Sequence, residues 1–127
     1  SVSGVLARGV CHRRADDVGA IADLLEEPVT AIFASNDLLA VDVLETVEEL
    51  GLSVPRDVSV VGFDDIQVAG LARISLTTVA QPCEDLARIG IELLLERIEG
   101  DDSPPRRRLL APTLVVRGSA APPLRVD

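Results

Sequence analysis

Two short, almost unbroken apolar runs, Ile32-Phe33-Ala34 and Val58-Ser59-Val60-Val61-Gly62-Phe63, flank a segment whose apolar residues recur every three or four positions. Runs of this kind suit strands whose two faces are both covered by helices, as in a parallel α/β sheet. Between them, Leu39, Ala40, Val43, Leu44, Val47 and Leu50 fall on one stripe, while Glu45, Glu48 and Glu49 fall on the other side. Gly51 follows the last periodic residue, where a helix-ending glycine belongs. The pattern predicts strand, helix, strand from Val29 to Asp65. Burial of the stripe, at roughly 1.5–3 kcal/mol per aliphatic side chain, is expected to fix the helix to the sheet. Each strand runs out into a polar cluster, first Ser35-Asn36-Asp37 and then Asp64-Asp65. Parallel strands end on one edge, so both clusters are expected to open into the same crevice.

Weaker patterns lie on both sides. Val5-Leu6-Ala7 reads as the end of a strand, and the lack of turn or capping residues before it suggests entry into the middle of a larger domain. Asp16-Asp17 offers an N-cap to a short helix with Val18, Ile21, Ala22 and Leu25 on one stripe, stopped by Pro28. Ile66 to Ile74 reads as a loop or single turn, and Leu76 to Val79 as a brief strand. Glu84 to Glu99 is a second strong helix, with Leu86, Ile89, Leu93 and Leu94 on a stripe, a Glu84–Arg88 pair on its surface, and Gly100 as terminator. Asp101 to Arg108 is a polar, proline-rich connection expected to be solvated. Thr113 to Arg117 is a last strand and Ala120 to Asp127 a frayed tail.

Composition narrows the function. At 127 residues the chain is of single-domain size, and with Phe33 and Phe63 as its two aromatic residues the core is expected to consist of Val, Leu, Ile and Ala. A net charge of −9, against the single basic cluster Arg106-Arg107-Arg108, argues against a nucleic-acid surface. Cys11 and Cys83 lack metal-ligand spacing and read as free thiols, so a cytoplasmic protein is expected. No apolar run approaches membrane-spanning length, and no signal-peptide pattern is visible.

Asn36 is the first candidate for chemistry, because an amide at a strand end carries donors and an acceptor for sugar hydroxyls or a purine edge. Asn36 or Asp37 can cap the following helix, and Asp37 is the stronger candidate for capping alone. Asp64 is the second candidate, its carboxylate suited to accept hydrogen bonds from neighbouring hydroxyls of a polyol, while Asp65 reads as a turn or cap residue. Adjacent side chains diverge, which weakens a metal reading of the aspartate pair. His12, the one histidine in the chain, is either a ring at the ligand mouth or a solvated loop residue beside Arg13 and Arg14. Ser35, Thr77 and Thr78 lack a base in any nucleophile motif, and no glycine-rich phosphate loop occurs, so neither an enzyme nor a cofactor is expected. A phosphoryl-accepting receiver domain is set aside because its site is completed by a lysine, and the chain has none.

At these residues the sequence resembles the lactose-repressor (LacI/GalR) family of transcription regulators, in the effector-sensing region whose fold is like that of type I periplasmic sugar-binding proteins. The resemblance is carried by TAIFASND (Thr30 to Asp37), LGLSVPRDVSVVGFDD (Leu50 to Asp65), LTTVAQP (Leu76 to Pro82) and LVVRGS (Leu114 to Ser119), in that order. It implies an α/β, parallel-sheet, periplasmic-binding-protein-like lobe that is a fragment of a two-lobed sensor. Residues 1–79 would be the C-terminal lobe, 80–110 a crossing segment and a helix that relatives pack on the other lobe, and 111–127 the closing strand and tail. It also implies that Asn36 and Asp64 bind a small-molecule effector, a sugar or similar polyol or a purine. His12 falls where relatives place a stacking aromatic, and Gln81 near a crossover between lobes. Val41, Leu44, Leu71 and Ala72 match surfaces used for homodimerisation. DNA contact would come only through a helix-turn-helix domain that nothing in Ser1 to Cys11 resembles, and no membrane partner is implied. The principal rival is a transporter's periplasmic sugar-binding protein, which shares the fold and would carry a signal peptide. Two further expectations follow: that helix 84–99 either packs on a second copy or is poorly ordered, and that half a cleft binds sugars weakly.

Overall fold

The computed structural model of the protein describes residues 17–26 and 29–123. Its centre is the anticipated strand, helix, strand unit: β1 (Ala31–Phe33), α2 (Asp37–Glu49) and β2 (Ser59–Val61), preceded by α1 (Asp17–Leu25). β1 and β2 pair in parallel, with Ala31 opposite Ser59, Ile32 opposite Val60 and Phe33 opposite Val61. Next to β2 runs β3 (Thr78–Ala80), parallel to it through single bridges at Val61–Thr77 and Asp64–Ala80. β4 (Thr113–Val115) then pairs antiparallel with β3. The apolar run after Val58 is thus longer than the regular strand, because at Gly62 the backbone turns from β1 toward β3 and its N–H donates to the Thr77 carbonyl.

α1 and α2 pack on one another, and α2 lies against β2. Ile21, Ala34, Ala40, Val43, Val47, Val58, Val60, Ala69 and Leu76 form the core, which contains no aromatic ring. Leu39 and Leu44 pack at its margin, whereas Leu50, placed on the stripe by the sequence pattern, is half exposed at the helix end. The chain leaves α2 through Gly51 at φ +73°, a left-handed conformation that suits glycine. Gly62 is required for a different reason. A Cβ there would run into the Asp37 carboxylate and the Leu76 side chain, so α2 begins as close to β2 as it does because position 62 has no side chain.

Two expectations need correction. Phe33 is 64% exposed, because the side of β1 carrying Ala31 and Phe33 is not covered as the apolar run implied. Arg88 pairs with Asp85 at 2.8 Å and Glu92 at 3.1 Å rather than with Glu84. The connection from Asp101 to Arg108 is exposed almost throughout, as expected, while Arg97 donates to the Asp101 and Ser103 carbonyls and Arg106 pairs with Glu96 and Asp101. That helix, α3 (Cys83–Ile98), has no buried residue. Its stripe lies partly open, with Leu86 and Leu94 at 44% and 58% exposure and Ile89 and Leu93 partly buried. Among the described residues no helix is long and apolar enough to cross a membrane.

Candidate functional site

The site is built where β1 and β2 end. Since Phe33 and Val61 are register partners, Asn36 and Asp64 each follow their strand by the same three residues and reach the same edge of the sheet. Both are partly buried, so neither is sealed in the apolar interior.

Asn36, not Asp37, is the N-cap of α2: it has extended backbone (φ −155°, ψ 168°), and its Oδ1 accepts the Leu39 N–H at 2.8 Å. Its amide nitrogen makes no hydrogen bond among the described residues and is left to donate elsewhere. The expectation that Asp37 caps the helix therefore fails by one position, and the reason is what the carboxylate does instead. Asp37 is fully buried, accepts the Thr78 hydroxyl at 2.5 Å through Oδ1, and accepts the Ile66 N–H at 2.8 Å through Oδ2. It ties the start of α2 to β3 and to the chain just beyond Asp65. Its place in the first turn of α2 also sets its negative charge on the favourable end of the helix dipole.

Asp64 stands in the left-handed half of backbone space at φ +112°, and Asp65 follows at φ +56°. Such conformations cost a residue with a side chain about 1–2 kcal/mol each and persist where surrounding bonds hold them. Here the Asp64 N–H donates to the Val79 carbonyl, and Asp64 Oδ1 accepts from Gln81 Nε2 at 2.6 Å. Asp65 is paired with Arg117 at 2.7 Å. The cap position of the 3-10 turn Gln67–Gly70 falls to Ile66, without a side-chain bond, so the expected capping by Asp65 is replaced by an ion pair. Arg117 was named in the sequence only as part of the closing strand, and no pattern in the chain signals that it reaches back to Asp65. Gln81 could be found from its place directly after β3, beside the end of β2.

His12 lies outside the described residues. Val41 and Leu44 are partly buried on α2, Leu44 against the core, and Leu71 and Ala72 are exposed beyond the 3-10 turn. Val41, Leu44 and Glu48 line a groove of about 730 Å³ together with Leu52, Arg73 and Ile74. This groove follows α2 away from its N-terminus. The helix runs back from the edge where β1 and β2 end, so the groove and the Asn36–Asp64 edge are separate features. Chemically, the edge offers amide donors from Asn36 and the second carboxylate oxygen of Asp64, an arrangement suited to hydroxyl groups.

Comparison with known proteins agrees with this fold. The model of the periplasmic binding protein-like domain matches residues 5–120. The ribose operon repressor of Escherichia coli is 38% identical over 103 residues, which are 80% of this chain and 31% of the repressor. A LacI family transcriptional regulator from Enterococcus faecium, solved with bound ribose, superposes with a TM-score of 0.75 at 35% identity, over 84% of this chain and 40% of that one. The transcriptional regulator CelR in complex with cellobiose gives 0.77 at 39% identity, over 84% and 33%. The chain thus spans about a third of the length of the curated relatives it matches.

Proposed function

Since this chain belongs to the periplasmic binding protein-like domain family, and within it to the LacI/GalR type, we propose that it is the effector-sensing and dimerisation part of a DNA-binding transcriptional regulator. On this reading residues 1–79 are the C-terminal lobe, 80–110 the crossing segment with its helix, and 111–127 the closing strand and tail. A second lobe supplies the opposite wall of the cleft. The effector is a sugar or similar polyol, held by Asn36 and Asp64 with His12 at the mouth; the ribose and cellobiose bound to the two regulators above support that class over a purine. The module binds and does not catalyse. DNA is contacted by a helix-turn-helix outside these residues, in keeping with the net charge of −9. Such a regulator works in the cytoplasm. The relatives reported above are regulators, which favours this reading over a transporter's binding protein.

The register of β1 on β2 carries the proposal, because it gives the amide and the carboxylate a common edge. An effector that binds one arrangement of the lobes more tightly than another shifts the regulator between DNA-bound and released states. The test is calorimetry on the protein at its full natural length, with D-ribose, cellobiose and purine bases as probes. One of the sugars should bind, and Asp64→Asn should weaken it by about 10- to 100-fold, the range for a lost hydrogen bond to a charged group. Affinity for purines alone, or sugar binding indifferent to Asp64→Asn, would overturn the assignment.

A further inference from the structure

Asp64 owes its direction to the turn it stands in, and that turn is imposed on the chain from outside. Two successive residues with side chains adopt positive φ, +112° and +56°. The backbone is pinned before and after them, by Asp64 N–H to the Val79 carbonyl and by Ile66 N–H to Asp37 Oδ2. The side chain of Asp65 is pinned by Arg117 Nη2 at 2.7 Å, in a pair whose members are only 23% and 26% exposed. The other guanidinium nitrogen, Nη1, donates to the Leu76 carbonyl at 2.9 Å.

The base of Arg117 is rigid. Its N–H donates to Thr77 Oγ1, and the next two residues are stitched into the sheet: Gly118 N–H to the Ser75 carbonyl, Val60 N–H to the Ser119 carbonyl, and Ser119 Oγ to the Val60 carbonyl. A planar fork on such a base fixes both of its partners at once. A lysine, with one point of charge, can satisfy the carboxylate but not the carboxylate and the carbonyl in the same geometry.

We propose that Arg117 is a positioning residue of the effector site, which holds Asp65 and thereby the left-handed turn that aims the Asp64 carboxylate at the ligand. Arg117 itself touches no ligand. The proposal rests on the reading of Asp64 as an effector-binding residue, and its test separates the two.

The first arm needs no ligand: amide hydrogen exchange on the 127-residue chain carrying Arg117→Met. Faster exchange at Asp64 and Ile66, with Val60 unchanged, supports the strap, whereas unchanged exchange at Asp64 and Ile66, or equal acceleration at Val60, overturns it. The second arm is a double-mutant cycle at full natural length with D-ribose and cellobiose as probes. Arg117→Met should weaken sugar binding by about tenfold in the natural background, mid-range for residues coupled through one network, and by almost nothing when Asp64 is already Asn. Arg117→Lys should fall between the two. An equal loss in both backgrounds means general damage to the fold and sinks the proposal, as does an undiminished affinity in Arg117→Met. Should neither sugar bind the natural protein, the effector reading fails, and the exchange arm still decides whether Arg117 holds the turn.

Discussion

At the scale of single residues, Asp37 and Gly62 decide how the site is mounted. A fully buried carboxylate without a cationic partner among the described residues is tolerated here because both oxygens accept hydrogen bonds, from Thr78 and from Ile66, and because the first turn of α2 presents its partial positive charge. The carboxylate reaches those donors only by crossing over position 62. We expect Gly62→Ala to destabilise the chain by about 1–3 kcal/mol, or more, since neither the bonded Asp37 carboxylate nor Leu76 in the core can move aside. The check is the urea midpoint of unfolding. A variant as stable as the parent would mean that α2 is not seated against β2 as described. Asn36 illustrates a residue with room for two uses, for the oxygen that caps the helix is not the nitrogen, which makes no hydrogen bond among the described residues.

At the scale of elements, α2 and α3 are opposite cases of the same amphipathic pattern. The stripe of α2 is buried from Ala40 to Val47 against β2 and α1, so its hydrophobic periodicity and its packing agree. α3 has the periodicity without the cover, although its N-terminal turn is acidic and Arg97 lies in its last turn, as helix-dipole energetics favour. Its local consistency makes it a helix, and the sheet of this chain does not bury it. Leu94→Lys in the 127-residue chain should therefore change stability by no more than about 0.5 kcal/mol, the scale of a surface substitution. Thermal unfolding measures this, and a drop of several degrees would show that the stripe is covered. Full cover within one chain, which would reject the expectation that α3 packs on a second copy or is poorly ordered, is not found: α3 has no buried residue.

At the scale of the whole molecule, the proposed function gives this chain one wall of a cleft and one flank of a dimer. Val41 is partly buried on α2 outside the core cluster, and Leu71, 46% exposed, lies beyond the 3-10 turn, so apolar surface is available where a second copy would meet it. Val41→Glu at full natural length should halve the mass seen by sedimentation equilibrium, because an unpaired carboxylate in an apolar interface is costly to desolvate. An unchanged mass would remove α2 from the interface.

Much of this was legible in the residues. Period-2 and period-3.6 patterns, Gly51 after the helix and the polar clusters after the strands are local features, and local backbone energetics reads them directly, so the parallel unit and the shared edge of Asn36 and Asp64 followed from the sequence alone. What it could not supply was every contact that joins distant stretches, Asp37 to Thr78 and Asp65 to Arg117, and the want of cover on Phe33. Those depend on which surfaces the folded chain brings within hydrogen-bond reach. A carboxylate has the same local preferences whether it caps a helix or clamps a distant strand, and only the packed sheet decides between them.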